Sequence, residues 1–303
     1  MNASPHKCGI RGIETLEKSG LGAVLNSYPL ASGANNEIMM LEFEDYKAVL
    51  KMTKENGVRR LKNESLVLSV VGDAIGPKVL WKHLSNDADD QDFLVVEYIA
   101  GEHKYRLSDD EAAQLGTALK TIHGTDVTDL AGIVESPSWK EYFHQRLMSQ
   151  YLNVKGIAPS AQVDEIKSHL DKIYEFGSSI ENKLSIRDAV LVHADIIPLN
   201  VIYENGKCRL IDWELARLDF PEWDICSVFK VFDFQGHSKD AFAEAYQKKI
   251  DEDRYLLISL LHYSNVALWR LHSFYCNGEN ADIKDKFLME LDAEIEWVKN
   301  SLP

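Results

Sequence analysis

Between Leu191 and Asp224 the chain reads LVHADIIPLNVIYENGKCRLIDWELARLDFPEWD. A short apolar strand, Val190–Val192, runs into a loop carrying His193, Asp195 and Asn200 in the spacing H-x-D-x-x-x-x-N. Two further strand-like runs, Val201–Tyr203 and Cys208–Ile211, flank a turn at Glu204-Asn205-Gly206-Lys207. Asp212 follows directly. A strand, a polar loop and a hairpin in this order bring a histidine, two aspartates and an asparagine to the end of one small ribbon. The rest of the fold has to be built around that ribbon.

Upstream, three strands are predicted at Val24–Leu30, Glu37–Phe43 and Tyr46–Met52. The turn between the first two, Ala31-Ser32-Gly33-Ala34-Asn35-Asn36, is small and polar; its backbone N–H groups could approach a phosphate, or it is an ordinary hairpin turn. In the third strand Lys47, Val49 and Lys51 fall on one face, with Ala48, Leu50 and Met52 on the other. Val58–Val71 reads as a helix containing Glu64, with Leu61, Leu66, Leu68 and Val70 apolar. Strands at Val79–His83 and Phe93–Ile99 complete the region, and the unbroken apolar run Phe93–Val96 predicts burial on both faces. The boundary expected near Glu97 separates a strand-rich part, residues 1–97, from a mostly helical part, 98–303. Capping boxes at Ser108–Glu111 and Ser138–Glu141 open two of its helices. Residues 161–184 and the stretch from Trp223 to about Leu302 continue the helical period, and 11–19 could form a short helix.

Phosphoryl transfer asks a protein chiefly to position groups and neutralise charge. Asp195 could orient an acceptor hydroxyl and take its proton. Asn200 and Asp212 offer the hard oxygen ligands that suit Mg²⁺. Lys51 followed by a helical Glu64 is the pairing that holds nucleotide phosphates in kinase-like folds. Alone, each of the two reads as an ordinary surface residue; the downstream constellation gives them meaning. With Asp195 available as base, His193 reads as a packed structural residue.

Taken together, these segments resemble the aminoglycoside phosphotransferase and choline kinase superfamily, relatives of the protein kinases. Residues 191–224 resemble its catalytic motif, Ala31–Asn36 its shortened nucleotide loop, and Ala48-Val49-Leu50-Lys51 its lysine strand. Arg60–Glu64 is similar to the start of its glutamate helix. Leu115–His123 is similar to the helix ending in an Ile/Leu-His pair. The likeness spans roughly residues 25–235, and the C-terminal segment is similar only in being helical. It implies an α+β, bilobal, protein-kinase-like fold: a small five-stranded antiparallel N-lobe with one main helix, and a larger, mostly helical C-lobe. It implies ATP and Mg²⁺ as cofactors, Asp195 as base, and Asn200 and Asp212 as metal ligands. Nucleotide contacts would come from Ser32, Gly33, Asn35 and from Lys51 paired with Glu64. The backbones of Glu97 and Ile99 would meet adenine, and Asp224 would support the catalytic loop.

The departures are informative. A protein kinase shows G-x-G-x-x-G, H-R-D, D-F-G and a long activation segment. This chain has a single glycine in the loop, His-Ala-Asp, Ile-Asp-Trp, and 11 residues between Asp212 and Asp224. That leaves no room to dock a peptide, so a small-molecule acceptor is expected. Glu214 and the aromatic faces of Trp213, Trp223 and Trp269 could receive a cation, or the tryptophans are packing residues. The expected acceptors are a choline- or ethanolamine-like amino-alcohol, then an aminoglycoside, then another alcohol such as a sugar, thiamine or homoserine. A kinase-fold module that binds nucleotide without catalysis is the competing class.

Charge narrows the partners. The chain of 303 residues carries a net charge of −15, most of it beyond Glu97. Such acidity repels a nucleic-acid backbone and favours Mg²⁺ or a cationic substrate, besides aiding solubility. The N-terminal stretch has no apolar h-region, no run approaches a membrane span, and Cys8, Cys208, Cys226 and Cys276 form no C-x-x-C pair. A cytoplasmic protein with reduced thiols is expected.

Overall fold

The computed structural model describes residues 16, 19–32, 36–54, 58, 60–85, 87, 90–128, 138–158 and 160–277. In chain order these form β1 (Asn26–Ser32), β2 (Asn36–Glu42), β3 (Lys47–Thr53), α1 (Leu61–Val71), β4 (Val79–His83), β5 (Phe93–Glu97), β6 (Arg106–Leu107) and α2 (Asp109–Ile122). There follow α3 (Trp139–Phe143), a π-helical turn (His144–Met148), α4 (Ser149–Lys155), α5 (Ser160–Ser179), β7 (Val190–Val192), β8 (Val201–Glu204), β9 (Lys207–Leu210) and β10 (Arg217–Asp219). The last elements are α6 (Glu222–Val231), β11 (Asp233–Phe234), α7 (Ser238–Tyr246) and α8 (Glu252–Asn277). The helix expected at 11–19, Leu16 and Ser19 apart, and the end of the one expected to reach Leu302 lie outside the described residues.

Two compact units result. The first takes residues 1–133, 193–217 and 231–247; the second takes 134–192, 218–230 and 248–303. Within the first unit α2 and α7 pack together. Adding a Cβ to Gly116 of α2 would bring it within 2.5 Å of the Phe242 carbonyl, so the close approach of these helices requires glycine there.

The first unit is built on an antiparallel sheet of order β1-β2-β3-β5-β4, the five strands expected. Alternation explains its core: Ala48, Leu50 and Met52 join Met39, Leu41, Phe43, Phe93 and Val95 in one apolar cluster. β3 sits between β2 and β5, with Lys51 opposite Ile38 and Leu94, so Lys51 emerges from the middle of the sheet. In α1 the buried face is Leu61, Glu64, Ser65 and Leu68, an i, i+3, i+4, i+7 stripe. Leu66, expected among the apolar positions, is instead 38% exposed. An acid occupies the buried stripe, and it requires a cation opposite it.

The segment after β5 crosses to the β8–β9 hairpin. Glu102 and Tyr203 exchange backbone hydrogen bonds at 3.1 and 2.9 Å. A Cβ on Gly101 would lie 2.6 Å from the Tyr203 carbonyl, so only glycine permits that approach. β8 and β9 pair antiparallel, and the turn between them has Asn205 at φ 50 and Gly206 at φ 75, as a tight hairpin needs. A parallel β6–β11 ladder had no counterpart in the sequence reading.

The second unit is mainly helical. Ser138 caps α3 by accepting from the Glu141 N–H, as its capping box predicts. Arg146, in the π-helical turn, donates to buried Asp219 at 3.1 Å, and the Tyr142 hydroxyl donates to the same carboxylate at 2.5 Å. Among the described residues no helix is long and apolar enough to cross a membrane.

Candidate functional site

Two left-handed residues frame the ribbon that carries the candidate site. Ala194 has φ 66 and Asp212 has φ 67, conformations that L-residues seldom adopt and that cost about 1 kcal/mol or more each. Both must be held by their surroundings. His193 is fully buried and does part of this: its Nδ1 accepts from the Asp195 N–H at 3.3 Å, while its Nε2 lies 3.0 Å from the Ile211 carbonyl. One ring therefore links the main chain of Asp195 itself to the residue ahead of Asp212.

Asn200 is buried at the end of a 3₁₀ turn, Pro198–Asn200, and its Nδ2 donates to both the Oδ2 and the main-chain oxygen of Asp195, each at 2.9 Å. With Nδ2 committed, Oδ1 is the atom left to meet a metal. Burial, and then the nearby carboxylates of Asp212 and Glu214, push the Asp195 carboxyl above its ordinary value; His193 and the Asn200 amide oppose them.

Lys51 joins the sheet to this ribbon. Its Nζ lies 2.7 Å from Glu64 Oε1 and 2.8 Å from Asp212 Oδ1, with its side chain 7% exposed and that of Glu64 fully buried. Burial works against the ammonium charge, but Glu64 and Asp212 outweigh it and hold Lys51 above the ordinary lysine range. Asp212 keeps 34% exposure and a second carboxylate oxygen. Among the described residues no three His, Cys, Asp or Glu side chains cluster as a metal cage. An Asn–Asp pair of oxygen donors nonetheless fits Mg²⁺, which retains waters and phosphate oxygens as its other ligands.

At the end of β5, Glu97 donates its N–H to the Lys78 carbonyl at 2.9 Å, leaving its own carbonyl as the candidate for a base contact. Ile99 is 5% exposed, and its N–H finds no hydrogen-bond partner among the described residues. A buried, unspent donor suits a ligand. The Glu97 side chain has a separate task. Arg209, buried in β9, grips it with Nη1 at 3.1 Å and Nη2 at 2.8 Å, and donates to the Gly76 carbonyl at 2.6 Å. The guanidinium holds the Glu97 carboxyl below the usual glutamate value. Arg209 escaped the sequence reading because it falls on the polar face of an alternating hairpin. Asn36 and Asn63, which contact Glu214, escaped it because a lone amide carries no pattern.

The remaining expectations divide. Of Ser32, Gly33 and Asn35, the glycine and Asn35 lie outside the described residues, as does the Ser32 side chain. Asp224 is fully buried in α6 of the second unit. Two tryptophans need correction as a cation wall. Trp213 is 0% exposed, donates Nε1 to the Leu210 carbonyl at 2.8 Å and has its ring 4.5 Å from that of His193, so no face is open. Trp223 is 5% exposed, and the Arg146 guanidinium already lies 5.9 Å from its ring centre. Trp269 is 57% exposed on α8.

Comparison with known proteins places the chain in a family and its fold among solved structures. The model of the phosphotransferase enzyme family matches residues 28–258. A search of curated proteins finds no match. Among solved structures, the chain is similar to a spectinomycin phosphotransferase bound to ADP and spectinomycin, at 16% identity and TM-score 0.68, covering 95% of this chain and 98% of that one. The choline kinase LicA of Streptococcus pneumoniae is similar at 18% identity and TM-score 0.66, over 94% and 96% of the two chains. APH(2'')-IIa, in ternary complex with streptomycin and ATP, is similar at 20% identity and TM-score 0.66, over 96% of each. At such identities the likeness speaks to fold, which is kinase-like.

Proposed function

Because the chain belongs to the phosphotransferase enzyme family, we propose that it is a small-molecule kinase, moving the γ-phosphate of ATP to a hydroxyl of a small cationic molecule. The observation that carries this is the single Lys51 ammonium shared by Glu64 and Asp212, beside an Asp195 carboxylate held by Asn200. Asp195 orients the acceptor hydroxyl and receives its proton. Lys51, fixed by Glu64, meets the phosphates, and the Glu97 carbonyl and Ile99 N–H meet the base. Asn200 Oδ1 and Asp212 would hold Mg²⁺, which neutralises charge on the phosphates when bound.

The acceptor is drawn from two chemistries. An amino-alcohol resembling choline or ethanolamine is the first, and an aminoglycoside is the second; kinases for both are among the similar structures. Burial of Trp213 and Trp223 removes most of the aromatic argument for a quaternary ammonium. The net charge of −15 favours a cation of either kind. Cys208 and Cys226 are buried free thiols, which suit a reducing cytoplasm.

The test is ADP release from ATP with choline, ethanolamine and a panel of aminoglycosides, with and without Mg²⁺. Acceptor-dependent release that requires Mg²⁺ and vanishes in Asp195→Ala is the expected result. Turnover that survives Asp195→Ala overturns the mechanism.

A further inference from the structure

Glu214 lies two residues beyond Asp212, where a carboxylate invites assignment to a cationic substrate. Its contacts point elsewhere. Asn36, the first residue of β2 and 5% exposed, donates Nδ2 to Glu214 Oε2 at 2.7 Å, while its own Oδ1 is buried without a hydrogen-bond partner. Arg60 Nη1 lies 3.5 Å from Glu214 Oε1, and the Glu214 side chain is only 15% exposed. Asn63 donates Nδ2 to the carbonyls of Glu214, at 3.2 Å, and Ala216, at 2.8 Å. Those two carbonyls end the 3₁₀ turn Trp213–Leu215, where helical carbonyls lack internal partners.

The same short segment is thus tied at two points to adjacent strands. β3 reaches Asp212 through Lys51, and β2 reaches Glu214 through Asn36. Two tethers fix its direction as well as its position. Both carboxylate oxygens of Glu214 already face protein groups, and the short bond from Asn36 is a charge-assisted one.

We propose that Glu214 is a positioning residue for the Asp212 carboxylate, acting through its clamp to Asn36, Arg60 and Asn63, and that it is not a ligand of the acceptor. This rests on the reading of Asp212 as a metal-binding residue. The clamp sets the carboxylate direction on which Mg²⁺-dependent nucleotide affinity depends, and outer partners of this kind are worth about 10- to 100-fold in metal affinity.

Equilibrium binding of ATP to the full chain, measured by calorimetry with no acceptor present, in Mg²⁺ and in EDTA, tests this. Asn36→Ala and Glu214→Ala should each weaken ATP binding in Mg²⁺ about tenfold and leave binding in EDTA unchanged. The double variant should be no weaker than the worse single one, because both break one clamp. Glu214→Gln, whose Oε1 still accepts from Asn36, should recover most of the loss. Unchanged binding in Mg²⁺ for Asn36→Ala and Glu214→Ala, as an acceptor ligand would give, overturns the inference; so does an equal loss in EDTA. Should Glu214→Ala fail to fold, Asn36→Ala and Glu214→Gln carry the comparison. A wild-type chain that binds no ATP overturns the underlying phosphotransferase reading before any variant is compared.

Discussion

Asn200 Nδ2 lies 2.9 Å from both the Oδ2 and the main-chain oxygen of Asp195, so one amide fixes the carboxylate and closes the loop that presents it. The arrangement separates two duties within one side chain. Nitrogen holds the proposed base, and oxygen remains for the proposed metal.

Asp195→Asn should therefore abolish catalysis without harming the fold. A positioned general base contributes about 10²–10⁴-fold, and a loss of kcat in that range is expected while ATP affinity stays near wild type. Its melting temperature should be no lower than wild type, because a carboxylate that burial disfavours has been replaced by a neutral isostere. Steady-state kinetics and thermal melts on the same preparation check both halves.

The pH dependence follows from the same carboxyl. Burial raises its folded value above the ordinary 3.8, and the deprotonated form is the active one. Activity should fall as pH drops through an apparent value above 3.8. The stability linkage has the opposite sense: the folded state holds the proton more tightly than the unfolded chain. Stability from this group is thus present at low pH and lost as pH rises from 3.8 through the raised value. The expected pair of results is a kcat/KM profile with its acid limb displaced upward, and a wild-type Tm profile whose loss of stability above pH 3.8 is missing from Asp195→Asn.

Asp212→Ala should act on nucleotide binding. It removes a metal oxygen and leaves Lys51 with Glu64 as its one remaining carboxylate among the contacts described. ATP binding in the presence of Mg²⁺ should weaken by at least tenfold, and chelation of Mg²⁺ should then make little further difference. Normal Mg²⁺-dependent affinity in this variant would count against the metal assignment.

Breaking the buried pair should cost stability before it costs chemistry. Lys51→Met takes the cation from fully buried Glu64, whose carboxyl burial already pushes above the usual glutamate value, a change worth about 3–5 kcal/mol. Lys51→Met combined with Glu64→Leu removes both charges and should recover much of that loss. Urea unfolding of the two variants gives the comparison. A single variant as stable as wild type would show that the pair contributes little to folding.

The sequence alone determined the five strands of the sheet and the spacing of the candidate site. Alternation in Lys47–Thr53, the apolar run Phe93–Val96, the capping serines and the Asn205-Gly206 turn are local signals, because strand period, caps and turns depend on near neighbours. The spacing of His193, Asp195, Asn200 and Asp212 was legible for the same reason. Tertiary structure decided how the side chains were spent. Trp213 looks open to a ligand as a letter in the sequence, yet it is sealed against His193 and Leu210. Glu214 meets Asn36 across 178 residues of chain, and Arg209 meets Glu97 across 112. Such pairings depend on which charges are desolvated together, and desolvation is a property of the packed fold with no local trace in the sequence.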